Sequence, residues 1–416
     1  MRAYVAVLGT AGAWRFLLPG ICARLPQAML QIGTLLLVEW ATGSYGWGGL
    51  AAAFAAVAQA VAAPQTGRLA DRYGQRAVLV PQVLVHAVAL GALLVAAQTG
   101  LPPVWLVPLS GLAGATMPQV GSMVRARWAH LLPRGRTSTA FAVEAVTDDL
   151  MFTLAPVVLL AVATAASPVW ALTGALVLVI AGTLVFAAVR TGRPEPAPAA
   201  VSGGTRVLAM RGVAVVAGAL LGVGTVFGAL QVAITSYTAQ IGDPGAAGTI
   251  YGTFSAGSLL GGLAFGALRL RGAAPGRLAV LLGALAVALL LPPLASSTGP
   301  LYAAAGAAGL VVAPALITGY TVLDGLVPAH VKTEGYTWLT GGTGLGIAAG
   351  AALGGQLADR FGPSTAFLLP PVTVGLAAVL VVCRRAHLAA RPADPAETGP
   401  ETVGLDHSTK SLMNRR

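Results

Sequence analysis

An eight-residue sequence occurs twice in this chain of 416 residues, as GRLADRYG at 67–74 and as GQLADRFG at 355–362. Each copy follows one long apolar segment and precedes another, although only 9% of the residues are charged. A charged sequence kept at two such places indicates two related structural units. We therefore expect an internally repeated chain built from apolar segments.

The apolar segments are long enough to cross a bilayer. Hydrophobic residues make up 56% of the chain, and a helix needs about 20 residues to span a hydrocarbon core of ~30 Å. The segments lack the alternation of strands, and an open sheet cannot satisfy its backbone in lipid. We predict an all-α membrane protein with twelve transmembrane helices, at 14–40, 48–63, 77–97, 104–124, 138–163, 169–189, 212–237, 246–266, 278–292, 301–323, 331–355 and 364–382.

A polar, proline-containing stretch divides the twelve segments into two sets of six. It predicts an N-terminal six-helix bundle (1–189), a cytoplasmic linker (190–211), a C-terminal six-helix bundle (212–384) and a disordered cytoplasmic tail (385–416). With both termini in the cytoplasm, every basic residue except Arg24 and Arg360 is assigned to the cytoplasmic side, as the positive-inside rule requires. The net charge of +11 therefore reflects membrane topology, and we expect no nucleic-acid partner.

This topology puts the two octets on opposite faces of the membrane. The arrangement is consistent once each half is divided into inverted three-helix units, because helices 2, 5, 8 and 11 are then equivalent. Nested inverted repeats of this kind are typical of many transporters.

The sequence GRLADRYGQR at 67–76 resembles the signature loop of the major facilitator superfamily. That loop reads roughly Gly-x-Leu-Ala-Asp-Arg-x-Gly-basic-basic, and Gln75 stands at one basic position. The helix count, the central linker and the cytoplasmic termini extend the resemblance over nearly the whole chain, and residues 139–149 look like the fifth helix of actinobacterial members. The resemblance implies two pseudo-symmetric bundles and transport by alternating access.

Three features depart from the family pattern. The loop at 266–277 keeps its arginines but has no Asp. The glycine-rich antiporter motif of helix 5 is reduced to Leu-Ala-Pro at 154–156, and a glycine series appears in helix 11 instead. The helix 4 motif, an Arg followed by Gln-Gly, is represented only by Gln119 and Gly121, without a mid-helix Arg.

The signature loop implies a conformational gate at the cytoplasmic face. A carboxylate there can meet the positive N-terminal end of a neighbouring helix, and the arginines can either pair with carboxylates or only set the topology. Contacts made in one conformation and broken in the other act as a latch. The candidate gate residues are Gly67, Asp71, Arg72, Gly74, Arg76 and Asp324.

Ionisable residues inside the membrane segments are few, and such charges are costly unless paired. Arg24 lies ten residues into helix 1 and Asp148 ten residues into helix 5, so both are about 15 Å deep. We predict an ion pair between Arg24 and Asp148 or Asp149, which is either a static support or part of the coupling of transport to protons or substrate. The coupling candidates are Arg24, Glu144, Asp148 and Asp149.

Neutral side chains supply the remaining cavity candidates, because the C-terminal half has no comparable charge. His86 is expected to make a structural hydrogen bond, and glycines of helices 7 and 11 are expected where the two halves move against each other. The predicted substrate-cavity residues are Gln27, Gln31, Gln119, Gln231, Thr235, Tyr251, Tyr320 and Trp338.

These features predict a secondary active transporter, monomeric in the inner membrane of a bacterium. The preferred function is proton-coupled efflux of a small amphipathic organic compound, with a proton gradient and no cofactor or metal. The alternative is uptake or facilitated passage of a polar nutrient. A membrane-embedded enzyme is less favoured, because the sequence has no HExxH, no GxSxG and no metal-ligand cluster. A non-transporting sensor is also less favoured, because we expect it to carry an added soluble domain and no segment here is long enough for one.

Overall fold

A computed structural model describes residues 2–133, 136–196, 207–210, 212–243, 245–267, 273–294 and 297–388. Within these ranges the chain is helical and contains no strand. Part of the predicted linker (197–206 and 211), the basic positions 269 and 271, and the predicted tail from 389 onward lie outside the described residues. Residues 385–388, predicted to begin a disordered tail, instead form a 3-10 turn in which Leu388 is buried.

The N-terminal half contains a short first helix and the helices of the first six segments. Its helices are α1 (Arg2–Leu8), α2 (Ala13–Thr42), α3 (Tyr45–Tyr73), α4 (Gln75–Gln98), α5 (Pro103–Thr116), α6 (Val120–Leu131), α7 (Thr137–Ala165) and α8 (Pro168–Ala188).

The C-terminal half follows after a 3-10 turn at Val207–Ala209. Its helices are α9 (Val213–Gln240), α10 (Ala246–Ala267), α11 (Ala274–Ala288), α12 (Thr298–Leu326), α13 (Lys332–Phe361), α14 (Pro363–Ala366) and α15 (Leu369–Cys383), with 3-10 turns at Pro292–Leu294 and Ala329–Val331.

Each of the twelve predicted segments contains helix, and the fourth and the twelfth are interrupted. Nine helices among the described residues are long and apolar enough to cross a membrane. The other three predicted segments correspond to α5 with α6, to α10 and to α13. The all-α membrane fold is confirmed, and the count of twelve spans stays a prediction.

The two octets adopt the same local structure, as their repetition predicts. The first ends α3 at Gly74, with φ 88° and ψ 147°, and the second ends α13 at Gly362, with φ 92° and ψ 154°. A positive φ is accessible to Gly at little cost and strained for other residues. In each octet, the final glycine therefore turns the chain sharply from one helix into the next.

The fourth predicted segment, 104–124, is wrong in its boundaries. The structure breaks it into α5 and α6 around Pro118, and proline cannot continue the hydrogen-bond ladder of a helix interior. The helix then runs on to Leu131, so that Arg125 and Arg127 lie inside α6 and are buried. The local hydropathy places both in a cytoplasmic loop, because it falls at these charged residues. Hydropathy contains no information about the side chains that pair with them in the folded protein.

The two halves meet chiefly where α3 packs on α13 and α7 packs on α10, with further contacts of α7 with α12, α6 with α13 and α1 with α10. The glycines of helix 7 do not lie at this boundary. Gly224 and Gly228 on α9 face the backbone of α13 at Thr343 and Ile347, within the C-terminal half. The expectation that these glycines separate the moving halves is therefore wrong, because they bring α9 and α13 together inside one bundle.

Candidate functional site

Four charged side chains from three helices form a cluster inside the N-terminal half. Nη1 of Arg24 on α2 lies 2.6 Å from Oε2 of Glu144 and 3.2 Å from Oδ1 of Asp148, both on α7. Arg125 of α6 pairs with the other oxygen of Asp148. Two cations thus meet two carboxylates, and the four formal charges balance.

Three of the four side chains of the charge cluster are almost wholly removed from solvent, and the fourth, Asp148, is 31% exposed. Arg24 and Arg125 are each 4% exposed, and Glu144 is fully buried. The second oxygen of Glu144 accepts a hydrogen bond of 2.9 Å from the indole nitrogen of Trp128. Removing one member would leave an opposite charge buried without its partner, which is the costly way to alter such a site.

Of the two partners predicted for Arg24, the structure shows an ion pair with Asp148 and not with Asp149. Glu144 and Asp148 share the face of α7 that meets α2, as their i, i+4 spacing predicts, whereas Asp149 faces α10. The depth argument considered only residues level with Arg24 and therefore left out Glu144, one turn closer to the helix start. A long arginine side chain reaches both turns.

Arg125 is a functional candidate that the sequence analysis missed. Its guanidinium lies 4.3 Å from the ring centroid of Tyr320 on α12, so it contacts the other half of the protein. The sequence contains one signal that could have identified Arg125, because this residue lies one helical turn after Gly121. A Cβ added at Gly121 would lie 3.2 Å from Cδ of Arg24 and 3.4 Å from Nη1 of Arg125, so this glycine leaves room for both arginines.

Asp149 lies at the boundary between the halves. Its Oδ2 accepts a hydrogen bond of 2.6 Å from the Ser258 hydroxyl of α10. The structure shows no salt bridge to Asp149 among the residues it describes, whereas Glu144 and Asp148 each have an arginine. Asp149 is therefore the acidic side chain of this region whose contact crosses between the halves.

The predicted cavity residues occupy different environments. Gln27, Gln31, Tyr251 and Trp338 are half-buried, and Gln231 and Thr235 are exposed on one side of α9. Their part in binding substrate stays a prediction.

Two of the cavity candidates already make contacts within the protein. The Gln119 amide donates to the Met117 carbonyl at 3.0 Å, at the break before α6. The hydroxyls of Tyr320 and Thr340 are 3.0 Å apart. His86, predicted to be structural, lies with Nδ1 3.0 Å from the Ala113 carbonyl oxygen.

Asp71 of the signature loop joins the two halves. Its carboxylate accepts hydrogen bonds from the backbone N–H groups of Thr333 at 3.2 Å and Glu334 at 2.8 Å. These are the second and third residues of α13, whose N-terminal end carries partial positive charge. Gly67 permits this approach, because a Cβ there would lie 2.9 Å from Cα of Glu334.

The other predicted gate residues separate into two groups. Asp324 is buried and accepts hydrogen bonds from Nζ of Lys332 at 2.6 Å and from the Tyr336 hydroxyl at 2.7 Å. Arg72 and Arg76 are exposed, and the described residues include no salt bridge for either. The suggested pairing of these two arginines with carboxylates is therefore not seen among the described residues; Arg72 stacks on Tyr73, and Arg76 lines a groove with Arg193.

An aromatic cluster closes the space between the halves beside the Asp71 contact. The ring of Phe141 on α7 packs against Tyr320 and Tyr336 of the C-terminal half, with centroids 6.2 and 5.7 Å apart. We call the end of the molecule that carries residues 67–76 the signature end. The aromatic cluster and the Asp71 contacts both lie toward this end.

Further hydrogen bonds between the halves also lie toward the signature end. Tyr4 donates to the Leu263 carbonyl at 2.9 Å, and Thr139 donates to the Gly266 carbonyl at 3.0 Å. Burial raises the pKa of Tyr4 to about 12, so its hydroxyl stays a neutral donor at physiological pH. The described contacts thus hold the halves together from the signature end to the level of Asp149.

Comparisons with known proteins agree with this architecture. Residues 216–415 match the family model of the Major Facilitator Superfamily. No curated protein matches the sequence.

Solved structures with the same fold cover most of the chain. A bacterial homologue of the iron transporter ferroportin, in its outward-facing state with soaked iron, is 12% identical, has a TM-score of 0.72, and is matched over 90% of this chain and 99% of its own. A single-residue variant of the Escherichia coli fucose:proton symporter FucP is 13% identical, with a TM-score of 0.64 and coverage of 89% and 99%. The human organic anion transporter MFSD10 (TETRAN) is 17% identical, with a TM-score of 0.63 and coverage of 91% and 97%.

The C-terminal half thus matches the Major Facilitator Superfamily model, and most of the chain shares the fold of the solved transporters named above. The family match in the C-terminal half and the fold shared with solved transporters point to a membrane transporter.

Asp71→Asn is expected to weaken the closed signature end. The change removes a charge at a helix end, worth about 0.3–2 kcal/mol, which is enough to redistribute two conformations separated by a few kcal/mol. Cysteines placed on either side of the boundary should become more accessible from the signature end. Asp359→Asn, in the second octet at the opposite end, is the matched control. Unchanged accessibility together with normal transport in Asp71→Asn would contradict the latch.

Proposed function

We propose that this protein exports a small amphipathic organic compound in exchange for protons across the inner membrane of a bacterium. It acts as a monomer with both termini in the cytoplasm. The single observation that carries proton coupling is the hydrogen bond from Ser258 to Asp149, a carboxylate without a salt bridge in the described structure, placed where the halves meet.

The charge balance supports Asp149 as the proton carrier. Arg24 and Arg125 are already matched by Glu144 and Asp148. Protonating either of these carboxylates would leave a buried guanidinium without compensation. Protonating Asp149 leaves the four-residue charge cluster intact and changes only a contact that crosses between the halves. A proton there can therefore bias the two conformations at the lowest cost.

The orientation follows from the basic residues. The signature end carries most of them and is proposed to be cytoplasmic. Contacts that hold this end closed then make the present conformation outward-facing. Structural neighbours described as outward-facing include the bacterial ferroportin homologue and a FucP structure, which is 15% identical with a TM-score of 0.60. This agreement supports the proposed orientation.

The substrate class is inferred from the proposed cavity. Its candidates are neutral amides, hydroxyls and aromatic rings, which together suit a compound with both polar and apolar parts. FucP is named as a fucose:proton symporter and MFSD10 as an organic anion transporter. Uptake of a polar nutrient is the second candidate function, favoured by the exposed polar pair Gln231 and Thr235.

Purified protein in proteoliposomes tests the proposed function. A panel of fluorescent amphipathic compounds and a panel of labelled sugars, amino acids and organic acids are followed with and without an imposed pH gradient. We expect gradient-dependent movement of at least one amphipathic compound against the direction of proton flow. Movement of polar nutrients alone, in the direction of proton flow, would replace export by the uptake alternative.

Reporter fusions test the orientation. Fusions placed after Arg193 and at the C-terminus should both report the cytoplasm, because the basic residues concentrate on that side. An external signal from either fusion would contradict the proposed topology.

A further inference from the structure

A groove of about 610 Å³ lies outside the charged centre, at the start of α4 and beside the linker. Its charged lining residues are Arg76 and Arg193. Its apolar part is formed by Ala77, Val80, Pro81 and Pro194. No carboxylate lines the groove among the residues the structure describes, and Glu195, between two of the linker prolines, is exposed.

The groove concentrates positive charge. Burial and the nearby positive charges of Arg76 and Arg190 lower the pKa of Arg193, because both disfavour its protonated form. Arg193 is fixed there because it donates hydrogen bonds to the Ala187 and Val189 carbonyls at the end of α8. The start of α4 adds its own positive end, and the N-cap residue Gly74 has no side chain to cap it.

The apolar side of the groove continues along the surface of α4. Ala77 and Pro81 are exposed, and the same face carries Leu84, Val85 and Val88, which are also exposed. Because α4 is long and apolar enough to cross the membrane, this stripe lies against acyl chains. The cations at the membrane surface match an anionic headgroup, and the apolar stripe that runs into the bilayer matches an acyl chain of the same molecule.

We propose that this groove binds an anionic phospholipid, with the phosphate headgroup between Arg76 and Arg193 and an acyl chain along α4. Basic residues near a membrane surface attract anionic lipid headgroups. The groove lies where the signature loop, α4 and the linker meet, so a bound lipid ties these three segments together at the signature end. The inference does not depend on the substrate or direction proposed above.

Titration of detergent-purified full-length protein with acyl-labelled phosphatidylglycerol tests this site, with phosphatidylcholine as the neutral lipid. We expect tighter binding of phosphatidylglycerol, and a loss of roughly fivefold in affinity for Arg76→Gln, as for one basic residue at a membrane surface. Arg72→Gln is the matched control, because Arg72 belongs to the same loop but stacks on Tyr73 and does not line the groove. Arg193→Gln is a second variant expected to weaken binding.

Four results would overturn the proposal. One is equal binding of the two lipids. Another is an equal loss of affinity in Arg72→Gln and Arg76→Gln, which would indicate a diffuse surface charge. The third is complete displacement of the lipid by millimolar inorganic phosphate, which would indicate a site for soluble anions. The remaining possible occupant of the groove is the protein's own tail, which is tested by removing residues 389–416. If phosphatidylglycerol binds only to the shortened chain, the tail occupies the groove and the proposal fails.

Discussion

Arg24→Ala is expected to destabilise the protein by about 3–5 kcal/mol, the usual cost of removing one partner from a buried ion pair. Glu144 is fully buried and loses the guanidinium that lies 2.6 Å from it. The variant should be poorly expressed, and what is purified should unfold at a markedly lower temperature in detergent. Thermal unfolding of the purified protein measures the effect.

Two further variants test whether the loss of stability comes from the ion pair. Arg360→Ala removes an exposed arginine and should leave the unfolding temperature unchanged, since surface charges contribute little. Arg24→Ala combined with Glu144→Gln removes both buried charges and should recover part of the lost stability. An Arg24→Ala protein as stable as the wild type would show that the charge cluster does not support the fold.

Asp149→Asn is expected to abolish proton-driven transport while leaving substrate counterflow intact. Asparagine keeps the size of the side chain and can still accept a hydrogen bond from Ser258, but it cannot take up and release a proton. Counterflow needs only the exchange of substrate between two conformations, whereas accumulation driven by a pH gradient needs the titrating group. Proteoliposomes containing the purified variant permit both measurements.

Asp148→Asn is the matched control, because it changes the neighbouring residue in the same way. Asp148 holds Arg24 and Arg125 together, so its loss should resemble Arg24→Ala and impair both counterflow and accumulation. If both asparagine variants keep normal pH dependence, Asp149 is not the proton carrier, and Glu144 becomes the next residue to test.

The sequence predicted the membrane helices and part of the charged centre because both follow from one-dimensional rules. Segment length and hydropathy located the helices, and the matched depth of Arg24 and Asp148 predicted their contact. The repeated octet predicted two related structural units, and these share the turn at Gly74 and Gly362. These properties depend on spacing along a helix axis, which the sequence contains.

The remaining part of the site depends on helix continuity and packing. Arg125 was missed because the apolar segment ends before it, while the helix continues to bury it against Asp148 and Tyr320. The glycines of helix 7 were assigned to the wrong boundary, because a glycine predicts that another helix approaches closely but does not say which helix it is. Ser258 was not singled out, because a serine in an apolar helix is significant only through the carboxylate opposite it.

Proton movement driven by substrate tests the central claim most directly. Proteoliposomes are loaded with a transported compound and a pH-sensitive dye, then diluted so that the compound leaves. Proton-coupled export predicts that the lumen becomes more acidic as the compound leaves, because protons enter in exchange, and that Asp149→Asn loses this acidification. Loss of the compound with no change in luminal pH, or with a lumen that becomes more alkaline, would contradict proton-coupled export.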